Sequence, residues 1–388
     1  MRSDARFQIG FAARLAALYA AMFVVSGIQL PFFPVWLKAK GLDPQMIGLV
    51  LAAPLLARVF AIPLIARSAD RHDALRAAIV LTAAGSVAGF LLVGLAGGPV
   101  AILVTYALAS FAYTPLMPLS ETYALKGLAA RGRTYGPVRL WGSAAFVLGT
   151  FAAGAATDMI SARYLIWLIV GASVVTALVA LMLGPVHTSA TPVASPPRRS
   201  LLRDPAFVAV LVAASLIQAS HAVYYGFSAL QWRALGLDGT AIAALWALGV
   251  IAEIVLFALQ GRLPPFLSPQ VLLIVGAAGG ALRWTAMALN PPVALLPVLQ
   301  LLHAASFGAT HLGTLGFLAA KAPPGQAASA QGHIAIAVGT TMAAATALSG
   351  MLYGAFGSLA YAAMASAAVA GGGAAYIANR AARRVAVG

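Results

Sequence analysis

The chain has 388 residues, 62% of them hydrophobic and 9% charged, with no cysteine and a formal net charge of +15; its mean hydropathy is +0.92. Soluble domains run near a quarter charged residues, so this composition excludes a water-soluble globule and a disordered chain. The missing cysteine excludes disulfides, thiolate metal sites, iron-sulfur clusters and a thiol nucleophile.

Apolar runs broken by charged, Gly or Pro clusters predict twelve membrane spans, at about 11–37, 45–66, 74–96, 99–119, 135–157 and 162–184, then 205–231, 239–261, 269–288, 293–318, 330–352 and 357–379. The first run is one of many, and is expected to be retained rather than cleaved as a signal. One connector is long, 185–204, with Pro185, Pro192, Pro196, Pro197, Arg198, Arg199 and Arg203. It divides the chain into a six-helix bundle over 1–184, a cytoplasmic linker over 185–204 and a second six-helix bundle over 205–388.

The basic residues sit in the short connectors, which makes them topology signals rather than a nucleic-acid footprint. With the N-terminus inside, seventeen of the 24 Lys and Arg residues fall in cytoplasmic segments, among them Arg67, Arg71, Arg76, Arg131, Arg133, Arg198, Arg199 and Arg203. The opposite side receives four, Lys38, Lys40, Arg163 and Arg233, while Arg58, Arg139 and Arg283 fall within or at the edge of spans. Both termini are therefore expected in the cytoplasm of a cell whose inner membrane carries the protein.

An offset of 195 residues aligns Gly41-Leu42-Asp43 with Gly236-Leu237-Asp238, each between the first and second span of its half. Phe32 then meets Phe227, Lys38 meets Arg233, Ile47 meets Ile242, Arg67 meets Arg262 and Arg58 meets Glu253. Repeated halves are a recurring transporter design. The expected fold class is an all-α membrane protein, twelve transmembrane helices in two pseudo-symmetric six-helix bundles about a midplane cavity.

Ala66-Arg67-Ser68-Ala69-Asp70-Arg71-His72-Asp73-Ala74 keeps the Asp-Arg pair of the loop motif Gly-x-x-x-Asp-Arg-x-Gly-Arg and lacks both glycines. Pro31-Phe32-Phe33-Pro34-Val35-Trp36-Leu37-Lys38, Tyr135-Gly136-Pro137-Val138-Arg139-Leu140-Trp141-Gly142-Ser143, His221-Ala222-Val223-Tyr224-Tyr225-Gly226-Phe227-Ser228 and Leu245-Trp246-Ala247-Leu248-Gly249-Val250-Ile251-Ala252-Glu253 are more specific. Together these segments resemble the major facilitator superfamily, in its 3-phenylpropionate permease branch, related to lactose permease and other proton symporters. The resemblance spans nearly the whole chain. It implies proton-coupled uptake of a small, aromatic or other, carboxylate by a monomer working in the lipid bilayer, with the substrate and protons as its partners and no cofactor.

Two glutamates occur in the chain. Glu253 falls near the middle of the eighth predicted span, and acids at that depth mark ion or proton pathways more often than structural ion pairs. Glu121 closes the fourth predicted span after Pro115 and Pro118, where an interfacial acid is as good a reading as a functional one. Arg139 and Arg283 are candidates to hold a substrate carboxylate, since a guanidinium stays charged and grips two oxygens at once. By resemblance to lactose permease, Glu121, Arg139, Glu253, Arg283 and His311 occupy places comparable to its buried charges. That carrier has a further acid one turn beyond its histidine where this chain has Thr314 and Leu315, which leaves Glu253 as the expected main proton carrier and Glu121 as the second.

His221, Tyr224, Tyr225, His303 and His311 are expected to line the cavity and contact substrate, although buried histidines and tyrosines also serve as packing groups. His303 and His311 lie too far apart along a helix to share a metal ion. Asp70 and Asp73 have Asp-x-x-Asp spacing, but in a short basic loop Asp70 and Arg71 fit gating at helix ends better than a metal site. Arg58, opposite Glu253 in the repeat, is either half of an ion pair that gates or a substrate contact. No Walker-type phosphate loop is present, so secondary transport is the expected energy source. The alternatives are a carrier for a neutral sugar or nucleoside, an exporter of drugs or metabolites, and, last, a polytopic membrane enzyme, for which the scattered acids supply no catalytic cluster.

Overall fold

The computed structural model describes residues 3–186, 201–322 and 326–387. Most of the predicted linker, including Pro192, Pro196, Pro197, Arg198 and Arg199, lies outside the described residues. All regular structure among the described residues is helical. In chain order the α-helices are α1 Ser3–Ala39, α2 Pro44–Arg71, α3 Leu75–Leu95, α4 Pro99–Tyr113, α5 Leu116–Ala129, α6 Gly136–Met159, α7 Leu165–Leu181, α8 Pro205–Ala219, α9 Ala222–Ala234, α10 Gly239–Ala258, α11 Pro269–Ala288, α12 Leu296–Leu301, α13 Thr310–Lys321, α14 Ala327–Phe356 and α15 Ala360–Val387.

Eleven stretches among the described residues are long and apolar enough to cross a bilayer, and the last, Ser329–Ala381, holds both α14 and α15. The turn Gly357–Leu359 separates those two helices, so the twelve predicted spans are all present. Three spans are interrupted. Pro115, which has no N–H to donate, divides α4 from α5, yet the helix resumes and runs to Ala129. The fourth span therefore extends ten residues past its predicted end at 119, and Glu121 falls inside a helix rather than at its tip. The seventh span bends at Ser220 and His221, between α8 and α9. The tenth is α12, a π-helical turn at Ala304–Ala309, and α13.

The internal repeat reappears as matched backbone geometry. Gly41 and Gly236 adopt φ of +89° and +87°, a left-handed conformation in which a glycine carries no Cβ penalty. Each closes the same helix-ending motif: Leu42 donates to Leu37 O and Leu237 to Trp232 O, while Gly41 donates to Lys38 O and Gly236 to Arg233 O. Asp43 then accepts from Met46 N at 2.8 Å and Asp238 from Ala241 N at 2.6 Å, each capping the next helix. The loop after α2 uses a different residue for the same task. Ala74 donates to Ala69 O, and Asp73, in the place of the loop motif's second glycine, takes φ +46°; aspartate is among the few residues that visit this region readily.

The chain clusters into two compact units, residues 1–191 with 232–243, and 192–231 with 244–388. The first unit's core joins Phe11, Leu15, Leu18 and Tyr19 of α1 to Leu75 and Ile79 of α3 and to Leu119 and Tyr123 of α5. Thr150 of α6 donates to Gly27 O of α1 at 2.9 Å, so these two helices approach at a small residue as membrane helices commonly do. At one end of this unit, main-chain carbonyls at the close of α7 are taken by cations. Arg76 donates to Leu183 O and Leu181 O, and Arg14 to Met182 O, matching positive charge to a helix C-terminus.

In the same unit Asp158, in the last turn of α6, accepts from Gly239 N at 2.6 Å on Oδ1. Its Oδ2 accepts from Thr240 N at 3.1 Å and Thr240 Oγ1 at 3.0 Å. The carboxylate thus caps the start of α10 from another helix, which favours negative charge there. Asp158→Ala removes three hydrogen bonds at once and is expected to cost about 1–2 kcal/mol. A melting temperature of the detergent-solubilised variant equal to that of the parent would contradict this role.

The second unit's core gathers Phe207, Val210, Ala213 and Ile217 of α8 with Leu273 and Ala277 of α11 and Phe317 of α13. Here α11 approaches the tenth span so closely that a Cβ on Gly276 would collide with Thr310 Oγ1, and one on Gly279 would stand 2.7 Å from Ala305 Cβ. That approach is what carries the Arg283 side chain of α11 to the side chains of α12 and the π turn.

Candidate functional site

The second unit holds a buried polar chain. Arg283 is fully buried. It donates from Nη1 to His303 Nδ1 at 3.1 Å and from Nη2 to Gln300 Oε1 at 2.5 Å. His303 Nε2 in turn lies 3.4 Å from Glu253 Oε2. Because a guanidinium has donors and no acceptor, Nδ1 of His303 must accept, and the ring is the tautomer with its proton on Nε2, directed at the Glu253 carboxylate. The order is Gln300, Arg283, His303, Glu253, drawn from α12, α11, the start of the π turn and α10. Glu253 lies five residues before the end of α10 rather than at its middle.

Aromatic side chains wall this chain. The Arg283 guanidinium sits 4.3 Å from the centre of the Tyr224 ring and 4.6 Å from that of Trp284, contacts that suit a desolvated cation. Tyr224 stacks on Trp246 at 4.7 Å, and Tyr225 lies 6.0 Å from the same indole. His221, at the bend of the seventh span, is fully buried. Its Nδ1 faces the carbonyls of Ile217 and Gln218 and its Nε2 the hydroxyl of Ser306. Carbonyls accept only, so Nδ1 carries the proton and Nε2 accepts from Ser306.

His303, Phe307 and His311 form one ladder, with centroids 5.1 Å apart for the first pair and 6.1 Å for the second. In an uninterrupted α-helix two residues eight apart are out of phase by about 80°. The extra residue taken up by the π turn brings them within about 20°, and such turns recur at functional sites. His311 itself is exposed and leans on Phe257 at 5.8 Å.

The first unit holds a second cluster. Tyr19 donates to Tyr135 OH at 3.4 Å, and Tyr135 donates to Glu121 Oε1 at 3.5 Å. Arg139, in the first turn of α6, lies 4.1 Å from the Phe23 ring centre and 5.8 Å from that of Tyr19. Further along α1, Ser26 Oγ bonds Tyr113 OH at 3.0 Å, and Gln29 donates to Tyr106 OH at 2.6 Å. Arg58 of α2 is exposed, as are Asp70 and Arg71 at the end of that helix.

Arg283, His303, Glu253, Tyr224, Tyr225 and His221 thus meet in the second unit and Glu121 with Arg139 in the first, where Arg58 acts on the Tyr113 hydroxyl and Asp70 and Arg71 lie exposed at the end of α2. Gln300, Trp246 and Trp284 were not singled out from sequence as site residues. Gln300 carried a readable signal: it is an amide inside the apolar run Leu299–Leu302, three residues before His303 and so on the same helix face.

A helical chain with twelve spans, a repeated loop motif and two clusters of polar side chains has the build of a membrane transporter. Residues 12–363 match the MFS_1 like family, and the chain belongs to this major facilitator superfamily family of membrane transporters. It is 34% identical over 351 residues to the probable 3-phenylpropionic acid transporter of Escherichia coli, covering 87% of this chain and 90% of that protein. It is 29% identical over 316 residues to a maltose permease of Geobacillus stearothermophilus, covering 78% of each. Among solved structures, the nucleoside transporter NupG superposes with a TM-score of 0.81 at 17% identity, over 95% of this chain and 98% of that one. An inward-facing bacterial homologue of the human lysosomal transporter Spinster superposes with a TM-score of 0.73 at 16% identity, over 95% and 96%. These two likenesses establish the fold.

Proposed function

We propose that the protein is a proton symporter that imports a small aryl carboxylate by alternating access. The observation that carries this reading is the buried chain from Arg283 through His303 to Glu253. It places a fixed cation and an acid at the two ends of one neutral imidazole. With Glu253 ionised, the two charges offset each other. With Glu253 protonated, Arg283 is left as net positive charge, and a carboxylate substrate is favoured beside it. Proton and anion then promote each other's binding, a coupling that is reciprocal.

In this reading Glu253 is the main proton carrier and Glu121 the second, and Arg139 and Arg283 hold the carboxylate. Tyr224, Tyr225, His221, His303 and His311 contact the rest of the substrate, and Asp70, Arg71 and Arg58 act in gating. The name of the Escherichia coli relative supports an arylpropionate as the first ligand to try. The aromatic wall of Tyr224, Trp246 and Trp284 supplies the kind of surroundings in which such a ring is held.

Purified protein is expected to bind 3-phenylpropionate at least tenfold more tightly than 3-phenylpropionamide, which has the same shape without the charge. Equal affinity for the two would overturn the carboxylate reading in favour of a neutral substrate, the class to which the maltose permease relative points.

The proposed arrangement places the bundles 1–184 and 205–388 in the inner membrane, with the linker 185–204 and both termini in the cytoplasm. Because the chain has no cysteine, Ser195→Cys introduces a unique thiol. It is expected to react with an impermeant maleimide in inverted vesicles and to stay unlabelled in intact cells; labelling from outside intact cells would reverse the topology.

A further inference from the structure

Gln300 and Arg283 are both fully buried, yet each keeps a donor with no acceptor among the described residues: Nε2 of Gln300 and Nε of Arg283. Which end of the Gln300 amide faces the guanidinium is fixed by chemistry. Arginine only donates, so Oε1 must turn towards it, and the NH2 group is directed elsewhere. A buried donor left without an acceptor loses the hydrogen bonds it made in water, and native structures rarely tolerate several together. Arg283 already uses His303 Nδ1 and Gln300 Oε1 and also meets the Tyr224 hydroxyl, which leaves its Nε–H and the Gln300 NH2 group as the unmet donors of the pair.

We infer that the Gln300 amide, with the Arg283 Nε–H beside it, is the carboxylate-receiving element of the second unit, so that Gln300 determines specificity for anionic over neutral substrates. This deepens the proposed carboxylate transport and rests on it. A carboxylate brings several acceptor lone pairs and no donor, which complements two unmet donors. A hydroxyl or carboxamide brings donors of its own, which the two unmet N–H groups cannot accept. Gln300 also holds Arg283 by its oxygen, so one side chain both fixes the cation and presents its own N–H groups.

The test compares 3-phenylpropionate and 3-phenylpropionamide binding to the purified full-length protein. Gln300→Glu changes one nitrogen to an oxygen, keeps the grip on Arg283 and removes the donors while adding a negative charge. Affinity for the acid is expected to fall by about a hundredfold, with amide binding changed by less than about threefold. Gln300→Met, which keeps the length and lacks the amide, is expected to lower acid affinity by about tenfold. A merely structural role would weaken both ligands alike, and that outcome overturns the inference. Acid binding unchanged in Gln300→Glu overturns it as well, with carboxylate transport left standing. If the parent itself does not prefer the acid, the carboxylate reading fails first and the inference with it.

Discussion

Proteoliposomes carrying Glu253→Gln are expected to exchange labelled 3-phenylpropionate across the membrane at a rate close to the parent's. They should not accumulate it above protein-free vesicles under an inside-alkaline gradient. Protein-free vesicles are the necessary baseline, because a weak acid crosses lipid in its neutral form and distributes with the gradient unaided. The substitution is chosen for its geometry. His303 presents its Nε2–H to Oε2 of Glu253, and a glutamine oxygen accepts that hydrogen bond equally well, so the chain back to Arg283 stays in place. What is lost is the group that can take up and release a proton. A carboxyl moved between dry and cation-flanked surroundings does both within one transport cycle. If the variant drives uphill uptake as well as the parent, Glu253 is a structural partner, and coupling belongs to Glu121 or a histidine.

Arg283→Lys is expected to have the second large effect, although the charge is conserved. An ammonium on a flexible stem cannot span Nδ1 of His303 and Oε1 of Gln300 as the guanidinium fork does, nor lie flat against Tyr224 and Trp284. Two buried acceptors then compete for one centre, and leaving either unmet costs about 1–3 kcal/mol. The His303 tautomer is also released, since nothing obliges Nδ1 to accept. Affinity for 3-phenylpropionate is expected to fall by at least about a hundredfold, accompanied by a lower melting temperature. Both quantities within about threefold of the parent would show that the charge alone suffices.

Much of the fold was legible because the bilayer imposes a length scale on apolar runs, and a tandem repeat imposes register on loops. Gly41-Leu42-Asp43 and Gly236-Leu237-Asp238 look like a weak three-residue identity until their shared work is seen, a left-handed helix end followed by an aspartate cap. The span boundaries were less legible where prolines fall within helices. Pro115 reads as an end, yet the chain regains helical hydrogen bonding beyond it, and Glu121 moves from an interfacial position into α5.

The site was legible in its charged members, since charge is rare inside an apolar helix and costly to place there. Its neutral members were less so. Gln300 left the signal of an amide inside an apolar run and Trp246 left none, and each ends with an N–H that the packing leaves unmet. The π turn at Ala304–Ala309 leaves no local mark in the sequence; the eight-residue spacing already put His303 and His311 near one helix face, and the turn brings them closer into phase. The interhelical role of Asp158 was equally hidden, because its partners Gly239 and Thr240 lie some eighty residues away in the chain.

The central claim, that substrate and proton cross together, is tested most directly by proton movement rather than by substrate accumulation. Parent protein is reconstituted into vesicles with a trapped pH indicator, equal pH on both sides and 3-phenylpropionate added outside. Coupled transport predicts lumenal acidification well above that of protein-free vesicles, rising in proportion to protein-dependent substrate entry and absent in the Glu253→Gln protein. Substrate entry at the parental rate with no protein-dependent change in lumenal pH would contradict it.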